Sequence, residues 1–144
     1  MDLTHGKYLG VDYGDKRTGL AECDVSGMLA SGITTIKEGG MRKTAIRVAH
    51  EAELRSCKKI VIGLPKNMDG SEGERAEVIR TFASLLAEET NIPIDFFDER
   101  MSTMVAYRYL GATETFGKKR KAAVDTLSAE IILQGYIDKE RNAR

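Results

Sequence analysis

The chain has 144 residues, 42% of them hydrophobic and 31% charged, which suits one compact domain, residues 1–144, with a buried core and leaves no room for a second. Lysine plus arginine number 22 and aspartate plus glutamate 22, so bulk positive charge gives no sign of nucleic-acid binding. No run of 18 or more apolar residues occurs and "MDLTHGKYLG" lacks the basic start and apolar stretch of a signal peptide, so the cytosol is expected; Cys23 and Cys57 stand alone without metal-binding spacing, which supports neither a disulfide framework nor a zinc site.

In chain order, "KYLGVDYG" and "RTGLAECD" are rich in β-formers and separated by turn residues, which predicts an antiparallel hairpin over residues 7–24. "MLASGITTIK" adds a third strand. "MRKTAIRVAHEAELRS" then carries Ala45, Ile46, Ala49 and Ala52 at helical spacing. "KKIVIGLP" has the continuous apolar character of a buried parallel strand. "GERAEVIRTFASLLAEE" places Val78, Ile79, Phe82, Leu85 and Leu86 on one helical stripe, and "IPIDFFDER" returns as a strand. Strand, helix, strand is a right-handed parallel crossover, which puts Leu64-Pro65 and Asp98-Glu99 at the carboxyl edge of the sheet, where open α/β folds hold ligands. Ser102 is placed to cap a short helix, "TMVAYRYL", ended by Gly111; "ATETFG" reads as a loop, and a last helix runs from about Lys119 to Asp138.

Asp12 shares a strand face with Tyr8 and Gly10 at the end of the most strand-like segment. A carboxylate there needs a partner or must neutralise. A turn aspartate satisfied by the amides of "YGDKR" is one account. The other is that Gly10, Gly14 and Gly19 clear space for a phosphodiester to approach. Alternation points Asp98 and Glu99 to opposite faces, so at most one joins Asp12 and the other is left for Arg100 or a helix end. Asp125 interrupts a small and apolar face of the last helix formed by Ala122, Ala129 and Ile132. The cations Lys118, Lys119, Arg120 and Lys121 oppose the dipole at the start of that helix and call for something negative, carboxylates or phosphates. Acidic positions from two strand ends and a helix, with no histidine or cysteine, suit Mg²⁺ or Mn²⁺. Two such ions roughly 3.5 to 4 Å apart can activate a water and stabilise the leaving oxygen of a phosphodiester.

"LGVDYGDKRTGLA", "VIGLPKNMDGSEGERA", "FFDERMST" and "KKRKAAVDTLSAEIILQGYID" resemble, in order and spacing, the hallmark segments of the YqgF (RuvX) family of pre-16S rRNA nucleases, also described as Holliday junction resolvases. The resemblance spans about Leu9 to Asp138. It implies an RNase H-like α/β fold: a five-stranded mixed sheet, order 3-2-1-4-5, flanked by helices. It also implies that Asp12, Glu99 and Asp125 are catalytic, that metal ligands come from Asp12, Asp98, Glu99 and Asp125, with Glu99 preferred over Asp98, and that Lys16 and Arg17 contact phosphate. The loop holding Asn67, Asp69 and Gly70 becomes a substrate lip. Arg100, Ser102, Thr103 and the basic run Lys118, Lys119, Arg120 and Lys121 complete the expected substrate contacts. Ser128 and Lys66 depart from the family's usual small and apolar residues without touching a proposed ligand.

The expected function is metal-dependent trimming of the 5′ end of precursor 16S rRNA, with the pre-ribosomal particle as a partner and a monomer or homodimer as the working state. Cleavage of branched DNA is the alternative within the same chemistry, and a non-catalytic ribosome-assembly factor is the alternative outside it. "DYGDKRTG" also resembles the first phosphate loop of the actin and sugar-kinase superfamily, which generally closes two such domains over a nucleotide.

Overall fold

The structure is a computed structural model that describes residues 6–37, 39–101 and 117–143, with side chains of the last segment from residue 126 onward. Five strands, β1 (Tyr8–Asp12), β2 (Thr18–Cys23), β3 (Ala30–Ile36), β4 (Lys59–Leu64) and β5 (Ile94–Asp98), form one sheet in the order β3-β2-β1-β4-β5. β1 pairs antiparallel with β2 and parallel with β4, and β5 continues parallel to β4. This is the expected sheet. β1 sits at its centre because the meander and the crossover meet there.

The helices α1 (Met41–Leu54) and α2 (Glu74–Glu89) cover one face, and α3 (Gly117–Asn142) crosses the other. Leu9, Val11, Ile60, Ile62 and Leu64 point from the central strands into the first layer, where they meet Phe82 and Leu86 of α2. Each large apolar side chain fully buried there contributes about 1.5–3 kcal/mol, and among the described residues this layer is the larger of the two cores. One detail of α1 departs from its sequence pattern. Ile46 is 47% exposed, and Val48 takes the buried position beside Ala45, Ala49 and Ala52. Those four residues already make a stripe at i, i+3, i+4 and i+7, and Ile46 lies off it.

The α3 face works differently, by close approach rather than bulk. A Cβ on Gly10 would come within 2.7 Å of the Leu133 Cβ and 2.9 Å of the Ala129 carbonyl oxygen. One on Gly63 would come within 2.5 Å of Ile132 Cδ1. Gly32 likewise has no room for a Cβ beside Thr126. Glycine on β3, β1 and β4 thus lets the helix lie directly on the backbone. At its far end α3 is pinned by polar bonds: the Tyr8 hydroxyl donates to Glu140, Lys59 donates to the Tyr136 hydroxyl, and that hydroxyl donates to Asp95 at 2.7 Å. Tyr8 and Lys59 begin their strands, whereas Ile132 packs over Gly63 near the end of β4, so α3 runs opposite to β1, β4 and β5. Residues N-terminal to Ala129 therefore lie toward the carboxyl edge of the sheet.

Candidate active site

Asp12 is the last residue of β1, half-buried, on the α3 face that Tyr8 and Gly10 share. The turn amides do not satisfy it: among the described residues its carboxylate forms no hydrogen bond or ion pair. Instead Thr18 closes the turn, its hydroxyl and the backbone of Gly14 meeting at 3.5 Å. Burial pushes the Asp12 carboxyl above its ordinary range, and the charge of Arg75 pulls it partly back.

Glu99 follows the end of β5, and alternation resolves the acidic pair as the pattern predicts. Glu99 lies on the α3 side, where its Oε1 would sit 2.5 Å from a Cβ on Gly63, the residue next in β4 to Ile62, itself paired with Val11. Burial raises its carboxyl most, the neighbouring charge of Asp12 raises it further, and Arg75 opposes both. The two carboxylates thus share one environment and disfavour each other's charge. Asp98 belongs elsewhere. Arg100 Nε and Nη2 grip it as a fork at 3.0 and 2.6 Å, and this hydrogen bonding holds its carboxyl below the ordinary range.

Arg100 also donates from Nη1 to the Met68 carbonyl at 3.3 Å, so the same guanidinium ties β5 to the loop after β4. In that loop the Asn67 amide reaches Ser71 Oγ at 3.0 Å, and the Ser71 hydroxyl donates to Asp69 at 2.6 Å. Gly70 takes a φ of 90°, in the region that favours glycine. Lys16 and Arg17 are exposed in the β1–β2 turn at the same edge.

Asp125 is a residue of α3, four before Ala129, in the part of the helix that leads to the carboxyl edge. Its side chain lies outside the described residues, as do the side chains of Lys118, Lys119, Arg120 and Lys121, the whole of Ser102, Thr103 and the expected helix that follows them, and the expected loop up to Phe116, while Gly117 opens α3. Among the described residues no three of histidine, cysteine, aspartate and glutamate gather as a metal-binding group. Asp12 and Glu99 are near enough that the charge of Asp12 acts on Glu99.

Two expectations need correction. Gly10 does not open space for a substrate, because α3 fills it. Gly14 has no room either: a Cβ there would strike the Arg17 carbonyl, so this glycine closes the turn. One residue escapes the sequence reading altogether. "EGERAE" reads as an acidic cluster, yet its Arg75 donates to the Tyr13 carbonyl at 2.7 Å and to Asp15 at 3.1 Å, and it is the cation that tempers both Asp12 and Glu99. The available signal is its place in the first turn of α2, where the helix dipole disfavours a cation unless an anion compensates.

A central strand ending in a half-buried carboxylate, a second carboxylate from a parallel strand end on the same face, and a long helix crossing that face define an RNase H-like nuclease. The fold is shared with T. thermophilus RuvC in complex with Holliday junction substrate, at a TM-score of 0.62 and 14% identity over 95% of this chain and 96% of that one. It is shared too with the Fowlpox virus resolvase bound to Holliday junction DNA, at 0.52 and 12% over 92% and 97%. At such identities the likeness concerns the fold alone. Sequence narrows it. The family model described as "RuvX: Holliday junction resolvase" matches residues 6–139. A "Putative pre-16S rRNA nuclease" of Clostridioides difficile (strain 630) is 41% identical over 98% of this chain and 100% of that one, and one from Gloeobacter violaceus is 42% identical over 92% and 84%. The chain belongs to the RuvX family and is a phosphodiester-hydrolysing nuclease. Among the described residues no helix is long and apolar enough to cross a membrane.

Proposed function

We propose that this chain is one nuclease domain, residues 1–144, that trims the 5′ end of precursor 16S rRNA in the cytoplasm, with Asp12, Glu99 and Asp125 holding Mg²⁺ or Mn²⁺. The observation that carries the reading is the placement of Asp12 and Glu99 on one face at the strand ends, both raised by burial and Glu99 further by the charge of Asp12. Two carboxylates brought to one face in this way suit a hard divalent cation, which takes oxygen donors. Asp125 is the third donor on this reading because α3 leads its turn to the same edge. A bound divalent ion supplies Lewis-acid activation of water and neutralisation of charge at the scissile phosphate.

The chain's own residues bind and orient. Lys16 and Arg17 take the phosphates of the incoming strand, Ser102, Thr103 and the basic run Lys118, Lys119, Arg120 and Lys121 extend that track, and Arg75 holds the β1–β2 turn against α2 so that Asp12 keeps its place. Asn67, Asp69, Gly70 and Arg100 form the lip, with Arg100 acting through the loop it fixes. Asp98 is left out of the ligand set because Arg100 already holds it.

Precursor rRNA is favoured as the substrate by the names of relatives about 40% identical over nine tenths or more of this chain. Their partner would be the pre-ribosomal particle, met by a monomer or homodimer. Branched DNA is the second reading, favoured by the family description. A side-by-side assay with Mg²⁺ or Mn²⁺ on a precursor-rRNA 5′ fragment and a four-way DNA junction, with Asp12→Asn as control, separates them. Cleavage of the RNA, lost in the variant, is expected. Cleavage of the junction alone would move the protein to recombination, and cleavage of neither would leave a ribosome-assembly factor.

A further inference from the structure

The loop between β4 and α2 keeps its polar side chains for itself. Asn67 and Asp69 both spend their side chains on Ser71, and the Asn67 and Gly70 amides are taken up by turn bonds at 2.8 and 2.9 Å. What the loop offers outward is Met68, 92% exposed. A single exposed apolar side chain is ordinary on a protein surface. Here its root is fixed. The Met68 carbonyl is held by Arg100, whose guanidinium is itself forked on Asp98, and Arg100 is the residue directly after Glu99. An unbroken chain of bonds therefore sets Met68 relative to the carboxylate pair, at the edge where a strand must lie to be cut. Val25, Met28 and Leu29 are exposed on the β2–β3 turn at the opposite edge, and Met101, beside Arg100, is only about half as exposed as Met68.

Resting on the nuclease reading above, we propose that Met68 is a substrate-binding residue that packs its thioether against the face of an unstacked RNA base beside the cleavage site. A flexible, polarisable apolar side chain suits a flat π-surface of any sequence. It offers no hydrogen bond to read a base edge. The substrate class that follows is RNA whose bases are available at the cut, single-stranded or frayed, taken without sequence preference. A continuous duplex keeps its base faces stacked and gives Met68 nothing to cover.

The test is binding, measured by fluorescence anisotropy in an Asp12→Asn background so that the strand stays intact. Met68→Ala is expected to weaken binding of a short single-stranded RNA about fivefold, the lower end of what a lost base contact costs. Met68→Phe is expected to restore or tighten it, because an aromatic ring stacks better. On an oligomer of the same length with abasic sites, Met68→Ala and its parent are expected to bind alike. Equal binding of RNA by Met68→Ala and its parent would overturn the inference and leave the nuclease reading standing. An equal loss on RNA and on the abasic oligomer would overturn it too, by showing that the substitution merely loosens the loop. Failure of the parent to bind RNA at all would overturn both readings.

Discussion

Burial disfavours the charged forms of Asp12 and Glu99, and a bound cation would offset that cost. For each, the folded-state carboxyl is raised by burial above its unfolded value. Stability linked to the protonated form is then full below the ordinary carboxylate range and is lost as pH rises through the raised value. At neutral pH without a divalent ion the ionised Asp12 weighs against folding. Asp12→Asn is accordingly expected to raise Tm at pH 7 in chelator, with the gain shrinking as pH falls through the carboxylate range, while Asp12→Asn and Glu99→Gln both cut RNA at least about a hundredfold more slowly. Thermal melts across pH, paired with cleavage rates, check this. A variant that melts lower than the parent at pH 7 would mean that the carboxylate has a stabilising partner.

At the scale of the elements, the site depends on how closely α3 lies on the sheet. Gly10→Ala drives a Cβ into the Leu133 Cβ and the Ala129 backbone, neither of which can swing aside, and is expected to cost about 1–3 kcal/mol in a denaturant melt. Gly39→Ala, with nothing within 4 Å, is the neutral control. Gly63→Ala meets the flexible ends of Glu99 and Ile132 instead, so its loss should fall on cleavage more than on stability. These glycines also mark where the sequence stops being legible. The order of strands, the crossover and the opposite faces of Asp98 and Glu99 follow from hydrophobic period and alternation, and the resemblance to RuvX supplies the sheet order. Gly10 beside Asp12 looks like room for a ligand when only one strand is in view, because the helix that fills the room arrives more than a hundred residues later. Arg75 is hidden for the same reason: its anions come from another element. Ile46 shows the limit of periodicity, since a short stripe of alanines does not say which of two larger neighbours completes it.

For the whole molecule, a net charge of zero conceals an uneven field. Lys16, Arg17 and Lys66 lie with Arg75 and Arg100 at the carboxyl edge, and the last two are already engaged by protein groups. Lys16 and Arg17 are the cations proposed to meet the strand's phosphates. RNA affinity is expected to fall with rising salt, the slope of log affinity against log salt flattening by about 0.7 for each phosphate-contacting cation removed, so that Lys16→Ala with Arg17→Ala flattens it by about 1.4. An unchanged slope would move the phosphate track elsewhere on the surface.

The most direct test of the account is a calorimetric titration of Mn²⁺ into the intact protein and four variants. Asp12→Asn, Glu99→Gln and Asp125→Asn are each expected to abolish or strongly weaken binding, and Asp98→Asn to leave it intact, because Arg100 rather than a metal holds that carboxylate. Loss of binding in Asp98→Asn with retention in Glu99→Gln would contradict the assignment at its centre.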